Sequence, residues 1–222
     1  MTTAVVRSDH HVVFRREESI SYIALQWREA AGNSNFSYFN IVDFVLHILS
    51  KFLKGGLQIR LFDAGPNDKP AYVDYKPTTM HVDREIWRLA QLGEPEARYI
   101  IAHEIGHVIL HDHTAKAFSN DPREQIKFSR NEYSAEWQAN TFAFYFLMPT
   151  HIVAAFDSSS ELARSCGVPE SLAAICEPAL HRRLSSPTIR EGDLCSACGN
   201  LTITSDGRCQ SEACRTQPLV QC

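Results

Sequence analysis

Residues 95–111 read Pro95-Glu96-Ala97-Arg98-Tyr99-Ile100-Ile101-Ala102-His103-Glu104-Ile105-Gly106-His107-Val108-Ile109-Leu110-His111, and the rest of the chain is read outward from them. Pro95 suits the first position of a helix, where its missing N–H costs nothing, and Glu94 and Glu96 stand at the positive end of the dipole. Ile101, Ile105, Val108 and Ile109 recur at helical spacing and form the face that packs inward. His103 and His107 are one turn apart on one face, so both imidazoles can meet a single cation while Glu104 stands beside them. This is the donor spacing of a zinc hydrolase: the histidines hold the ion, the ion acidifies a bound water, and Glu104 takes the proton as water attacks a carbonyl. The plain alternative is two surface histidines and an acid on an ordinary helix, and the surrounding sequence decides between the two.

A catalytic zinc needs a third protein ligand and one position left open. His113 stands where the His-Glu-x-x-His-x-x-Gly-x-x-His class places its third histidine, but the glycine that turns the chain back is replaced by Leu110. His111 lies one further turn along the axis, about 6 Å beyond His107, too far to join. A second helical run, 131–147, puts Glu132, Glu136 and Asn140 on one face, beside an apolar surface of Ala135, Ala139, Phe142, Ala143 and Phe146. Small alanines permit close approach to the first helix, so Glu136 leads as third ligand, with Glu132 and His113 behind it. Asn140, one turn below, is placed to orient a ligand histidine, although its plain reading is a polar surface residue. Tyr133 and His151 are the candidates for assisting at the scissile carbonyl, and each reads as readily as structural.

Length and composition bound the class. With 222 residues, 44% of them apolar and 22% charged, the chain suits one good-sized domain with a small appendage. A net charge of −4 gives no reason to expect nucleic acid or an anionic membrane as the main partner. No stretch near Met1 reads as a signal peptide, and no apolar run approaches the ~18 residues of a membrane span, so the expected location is the cytoplasm.

Ahead of the histidines, residues 1–16 read as a tail or a loosely docked strand. A helix follows from Glu17, with Ile20, Ile23, Ala24 and Trp27 on one side and a left-handed cap at Gly32-Asn33. A second helix over 38–54 carries a stripe of Val42, Val45, Leu46, Leu49 and Leu53, stopped by Gly55-Gly56, with His47 at the surface or rim. The period then shortens to two at Leu57, Ile59 and Leu61. Turn residues at 65–68 and a return strand at 71–75 predict a hairpin, followed by a short third strand at 79–82. The small antiparallel sheet so formed offers an edge on which an extended peptide can lie. The polar stretch 114–130, with Ser119-Asn120-Asp121-Pro122, reads as a connector, or as a lid over the cleft.

Residues 158–184 have the outline of a helix-turn-helix: Leu162-Ala163, Gly167-Val168, then Pro169 opening a second helix. A DNA-reading helix would carry basic or amide side chains. Between Val168 and Glu177 there is no Lys or Arg, Glu170 and Glu177 are acidic, and Pro178 ends the run. The segment therefore reads as a packing module or a dock for a partner's similar domain, DNA binding is disfavoured, and Arg182, Arg183 and Arg190 read as solvated charges. Ser185-Ser186-Pro187 marks a boundary, beyond which Cys195, Cys198, Cys209 and Cys214 are spaced two, ten and four residues apart. Four thiolates close a zinc site, so this ion is structural, and it must supply most of the stability of so small a ribbon. Of the other cysteines, Cys166 and Cys176 are expected to be buried and Cys222 is a terminal thiol.

Ile101-Ala102-His103-Glu104-Ile105-Gly106-His107, followed by Glu136-Trp137-Gln138-Ala139-Asn140-Thr141-Phe142-Ala143 and Phe146-Leu147-Met148-Pro149, resembles the ImmA/IrrE family of bacterial metallopeptidases. These carry His-Glu-x-x-His, then Glu-x-x-Ala-Asn-x-Phe-Ala and a Leu-Met-Pro ending. The resemblance is close over residues 70–185 and loose before them. It implies a gluzincin-like site with His103, His107 and Glu136 on zinc and Glu104 as base. It also implies a regulatory protease that cleaves a helix-turn-helix repressor, often encoded nearby on a mobile element or in a stress-response pair. Gln138 departs from the pattern, since an acidic residue is common there, and the position is expected to face away from the metal.

The expectation is thus an α+β protein: a mainly helical metallopeptidase domain with a small antiparallel sheet at 1–157, a helix-turn-helix-like packing segment at 158–186 and a zinc ribbon at 187–222. Its expected function is zinc-dependent cleavage of a helix-turn-helix repressor, activating stress-response or mobile-element genes, with one catalytic and one structural Zn²⁺. The competing reading is a protein that uses the same zinc fold to sequester a transcription factor without cutting it.

Overall fold

The first helix, Glu17–Ala30, opens with Glu17 and Glu18 and closes with Arg28, the charge order its dipole favours. It buries Ile20 and Ala24, and beyond it the chain turns off at Gly32, left-handed at φ 69° as its sequence predicts. The computed structural model describes residues 10–53, 56–111, 116–117 and 131–178. The Cys195, Cys198, Cys209 and Cys214 set lies outside the described residues, as do Cys222, His113, Arg182, Arg183, Arg190 and all of the 114–130 stretch except Lys116–Ala117.

The second helical run starts at Ile41 rather than at 38. Asn40 caps it, its side-chain oxygen accepting from the Val42 and Asp43 N–H groups at 3.0 and 3.2 Å. Ile41–Asp43 is α-helical, Phe44–Leu49 widens to a π-helix, and Ser50–Phe52 returns to α. Its buried face takes in Phe44, whose ring meets Trp27, Phe39 and Phe146. This aromatic cluster orients the run so that Leu46, expected on the apolar stripe, is 41% exposed. His47 is exposed, as read.

The three-stranded sheet corrects two expectations. Strands β2 (Gln58–Phe62), β3 (Ala71–Tyr75) and β4 (Thr78–Asp83) lie in the order β2-β4-β3, with β4 parallel to β2 and antiparallel to β3. The sheet is therefore mixed, not antiparallel, and the hairpin joins β3 to β4 rather than β2 to β3. Burial explains the order. Met80 and Val82 on β4 are wholly buried and belong at the centre, whereas Gln58 and Arg60 keep β2 at an edge. The turn at 65–68 does form, with Gly65 N–H donating to the Asp68 carboxylate at 2.8 Å, but it sits inside a connection that carries β3 past β4. At the N-terminus, β1 (His10–His11) pairs antiparallel with β5 (Lys116–Ala117), and the Val12 N–H donates to the Tyr133 carbonyl at 3.0 Å.

Two arginines with no exposed surface hold the 33–39 loop in place. Arg28 donates to the carbonyls of Phe146 (2.7 Å), Asn33 (2.9 Å) and Phe36. Arg98 donates to those of Gly167 (2.9 Å), Phe39 (2.7 Å) and Cys166 (3.1 Å), and lies 4.1 Å over the Tyr38 ring. Burial pushes the Arg28 pKa down to about 10 and lowers that of Arg98, yet each remains a cation whose donors satisfy main-chain oxygens.

Past the site, Ser159–Cys166 is capped by Ser158 and ends at Gly167 with φ 61°. A Cβ at 167 would meet the Tyr38 ring at 2.8 Å, so the turn and the close approach both call for glycine. A short helix, Glu170–Ala174, follows Pro169. Leu162, Ala163, Cys166, Val168, Ala173 and Cys176 all join the core that holds the helices before them. Among the described residues no helix is long and apolar enough to cross a membrane.

Candidate active site

The helix bearing the two histidines is Pro95–Leu110, started by Pro95 and by Glu94, whose carboxylate accepts from the Ala97 N–H at 2.7 Å. The helix bearing Glu136 runs Ala135–Leu147 and is shorter than its apolar pattern suggests. Ser134 caps it, accepting from the Trp137 N–H at 2.9 Å, and Asn131–Tyr133 is a separate 3₁₀ turn. Glu132 is thereby removed from the helical face it was expected to share with Glu136 and Asn140, and Tyr133 from the helix on which it was expected one turn before Glu136.

These two helices touch almost backbone to backbone. A Cβ at Gly106 would lie 3.0 Å from both Cα and O of Ala139 and 3.2 Å from Cβ of Phe142. The missing side chain at 106 and the small one at 139 let the carboxylate of Glu136 reach the imidazoles. His103 Nε2 is 3.2 Å from one Glu136 oxygen, His107 Nε2 is 3.5 Å from the other, and the two Nε2 atoms are 3.0 Å apart. One donor atom from each of the three residues lies within 4.8 Å of the others.

The donor set fits a divalent cation. The far nitrogen of each ring is already engaged: His103 Nδ1 lies 2.8 Å from Asn140 Oδ1, which also accepts from the Tyr99 hydroxyl at 3.0 Å, and His107 Nδ1 lies 3.1 Å from His111 Nδ1. Both Nε2 atoms are left for an ion, with one carboxylate beside them, a ligand set that suits zinc. The Glu136 side chain is 40% exposed against 16% and 13% for the histidines, so the cluster opens to solvent on the carboxylate side.

The electrostatics follow from burial and from these contacts. Burial raises the Glu104 carboxyl above the ordinary range, against the pull of His107, His103 and Lys69. Hydrogen bonds with His103 and His107 hold the Glu136 carboxyl far below its usual value. Burial works to lower the His103 pKa, but the hydrogen bond to Glu136 and the charges of Glu104 and Glu136 outweigh it, and the net shift is upward. Burial pushes the His111 ring down to about 3.

Of the residues singled out in the sequence, His103, His107 and Glu136 are brought together, with Glu104 on the same helix and Asn140 against a histidine ring. Tyr133 instead offers its carbonyl to Val12 and sets its ring at a tilt, 5.3 Å from that of Phe14. His151 Nε2 bonds the Ser34 carbonyl at 2.8 Å. Glu132 contributes its carbonyl to Arg15 and Gln138. Gln138 Oε1 meets His111 Nε2 at 3.2 Å and so reaches His107 at one remove. Tyr99 and Gly106 went unnoticed in the sequence. Tyr99 stands one turn before His103, a helical-spacing signal that was available; Gly106 gives no signal until its neighbour is known.

Two histidines and a glutamate converging from adjacent helices, with a buried acid next to the first histidine, define the class as metallopeptidase-like. The chain belongs to the peptidase M78 family: the model of the IrrE N-terminal-like domain matches residues 56–175, more than half of its length. An 88-residue stretch is 32% identical to the "Uncharacterized immunity region protein 2" of Bacillus phage phi105, covering 38% of this chain and 52% of that protein. The chain thus spans about half the length of that curated relative. Among solved structures, a Mycobacterium tuberculosis transcriptional regulator matches 77% of this chain and 48% of its own, at 16% identity and a TM-score of 0.48.

Proposed function

We propose that the chain is a zinc-dependent endopeptidase whose substrate is a helix-turn-helix repressor-type regulator, and that the cut activates stress-response or mobile-element genes. The observation that carries this is the convergence of His103, His107 and Glu136 donor atoms within 4.8 Å, with Glu104 buried alongside. Membership of a peptidase family supports proteolysis, and the immunity-region name of the phage relative fits a repressor as substrate.

His103, His107 and Glu136 would hold the ion, which when bound supplies Lewis acidity towards a peptide carbonyl and lowers the pKa of water. Glu104 takes the proton from the attacking water on a carboxylate oxygen and returns it to the departing amide nitrogen. Burial favours this two-way role, because a carboxyl raised towards the working pH both accepts and donates. Asn140 and Tyr99 hold the His103 ring in place. Strand β3 is a sheet edge, and its Tyr75 hydroxyl donates to the His107 carbonyl at 3.2 Å, so a peptide added along β3 would run beside the histidine helix.

In the same reading, a peptidase domain at 1–157 and the packing segment at 158–186 precede a ribbon at 187–222 in which Cys195, Cys198, Cys209 and Cys214 hold a second, structural zinc. The protein acts in the cytoplasm. Co-expression with the regulator encoded beside it is the test. The regulator is expected to disappear with wild type and survive with Glu104→Gln, and equal survival in both overturns proteolysis in favour of sequestration.

A further inference from the structure

The Gln138 side chain is wholly buried, and both of its ends are committed. Its Nε2 lies 2.8 Å from the Val13 carbonyl and 2.6 Å from the Glu132 carbonyl. Carbonyl oxygens only accept, so both N–H groups of the amide must point to them, and the amide cannot be turned round. Gln138 Oε1 then faces His111 Nε2 at 3.2 Å, and because this oxygen also only accepts, His111 carries its proton on Nε2. The neutral ring is left with a lone pair on Nδ1, 3.1 Å from His107 Nδ1. That contact is a hydrogen bond only if His107 brings its proton on Nδ1. A proton on Nε2 then serves only the hydrogen bond to Glu136, and a cation would displace it, taking the Nε2 lone pair at the nitrogen that meets His103 Nε2 and the Glu136 carboxylate.

We propose that Gln138 and His111 are a positioning relay through which two main-chain carbonyls dictate the His107 tautomer, keeping its Nε2 lone pair turned to the cation. The relay rests on the zinc-site reading above. Neither residue touches the ion or the substrate; both act through His107. Its origin lies in the N-terminal segment, since the Val13 carbonyl belongs to a stretch tied to the 131–133 turn through the Val12 and Arg15 N–H groups. His103 receives the same service by a shorter route, from Asn140 Oδ1 alone.

The test uses the full, zinc-loaded chain labelled with ¹⁵N. Long-range proton–nitrogen spectra assign the His111 tautomer and read the scalar coupling across the hydrogen bond from His107 Nδ1–H to His111 Nδ1. Chelator competition then measures zinc affinity for wild type, His111→Phe, which removes the acceptor, His111→Asn, whose Oδ1 can stand in for Nδ1, and Gln138→Leu. Zinc missing from His103→Ala identifies which ion is being read, and the melting temperature of each metal-free variant reports the fold. The expected result is an Nε2 proton on His111, a measurable coupling, a loss of about 10–100-fold in affinity for His111→Phe, and recovery of most of it in His111→Asn. A proton on Nδ1 of His111 overturns the relay, and so does wild-type affinity in a folded His111→Phe or an equal loss in the Phe and Asn variants. Should the Phe variant not fold, the wild-type tautomer and coupling decide alone. Failure of the zinc-site reading looks different: wild type and His103→Ala take up the same zinc, while the His111 tautomer of the wild type still reports on the relay.

Discussion

Gly106→Ala adds one methyl group at the point where the two site helices meet, and its consequences can be worked out from the contacts. The new Cβ would stand 3.0 Å from Cα and O of Ala139 and 3.2 Å from Cβ of Phe142. Carbon atoms at rest sit about 3.5–4.0 Å apart. The atoms of Ala139 are main chain and cannot rotate aside, so the helix 135–147 must back away by roughly half an ångström. Ala139 adjoins Asn140 and stands one turn from Glu136, so the shift reaches the third ligand and the amide that orients His103. Sites of this kind tolerate about 0.5 Å of error, and zinc affinity should therefore fall about tenfold or more. Stability should change less. Overpacking costs about 1–3 kcal/mol, while replacing glycine by alanine within a helix returns roughly 0.5–1 kcal/mol. The expected net loss is about 0–2.5 kcal/mol, read from urea unfolding of the metal-free protein beside chelator competition for zinc. Wild-type zinc affinity with unchanged or greater stability would refute the reasoning. Rescue by Ala139→Gly would refute it too, since that change removes a methyl and leaves the Cα and carbonyl in the way.

Glu104→Gln should keep its zinc, measured by metal analysis, and lose about 10²–10⁴-fold in cleavage rate, because it removes only the proton acceptor. Arg98→Met strands the buried carbonyls of Phe39, Cys166 and Gly167 and should cost about 3 kcal/mol or more in urea unfolding, with Arg88→Ala at the surface as a control that leaves the midpoint unchanged. Chelation should lower the melting temperature of wild type more than that of His103→Ala, since an ion bound only to the folded state contributes about 4 kcal/mol at a thousand times its Kd. An equal drop in both would place the zinc elsewhere.

The histidine pair was legible because its geometry is local: residues four apart on a helix share a face whatever the helix packs against. Glu136 was legible for a related reason, since acid, alanines and phenylalanines sit at helical spacing on one run. The start of that run was not. Ser134 and a 3₁₀ turn break a pattern that periodicity carries through to residue 131, and capping chemistry rather than hydrophobicity sets the boundary. Strand order was misjudged because each strand's alternation shows which side is buried but not which neighbour it pairs with; the wholly buried Met80 and Val82 put β4 in the middle.

By itself, then, the chain's sequence determined the α+β class, the metal-ligand candidates on two helices, the glycine stop after the first helix and the candidate base. These are properties of neighbours a turn or less apart, and local geometry dictates them. Only the tertiary structure decided the mixed sheet, the burial of Arg28 and Arg98 among carbonyls, the backbone contact at Gly106 and the path from Val13 through Gln138 and His111 to His107. Each of these joins atoms far apart in the chain, and their pairing depends on which surfaces exclude water together, a quantity that no single stretch of residues contains.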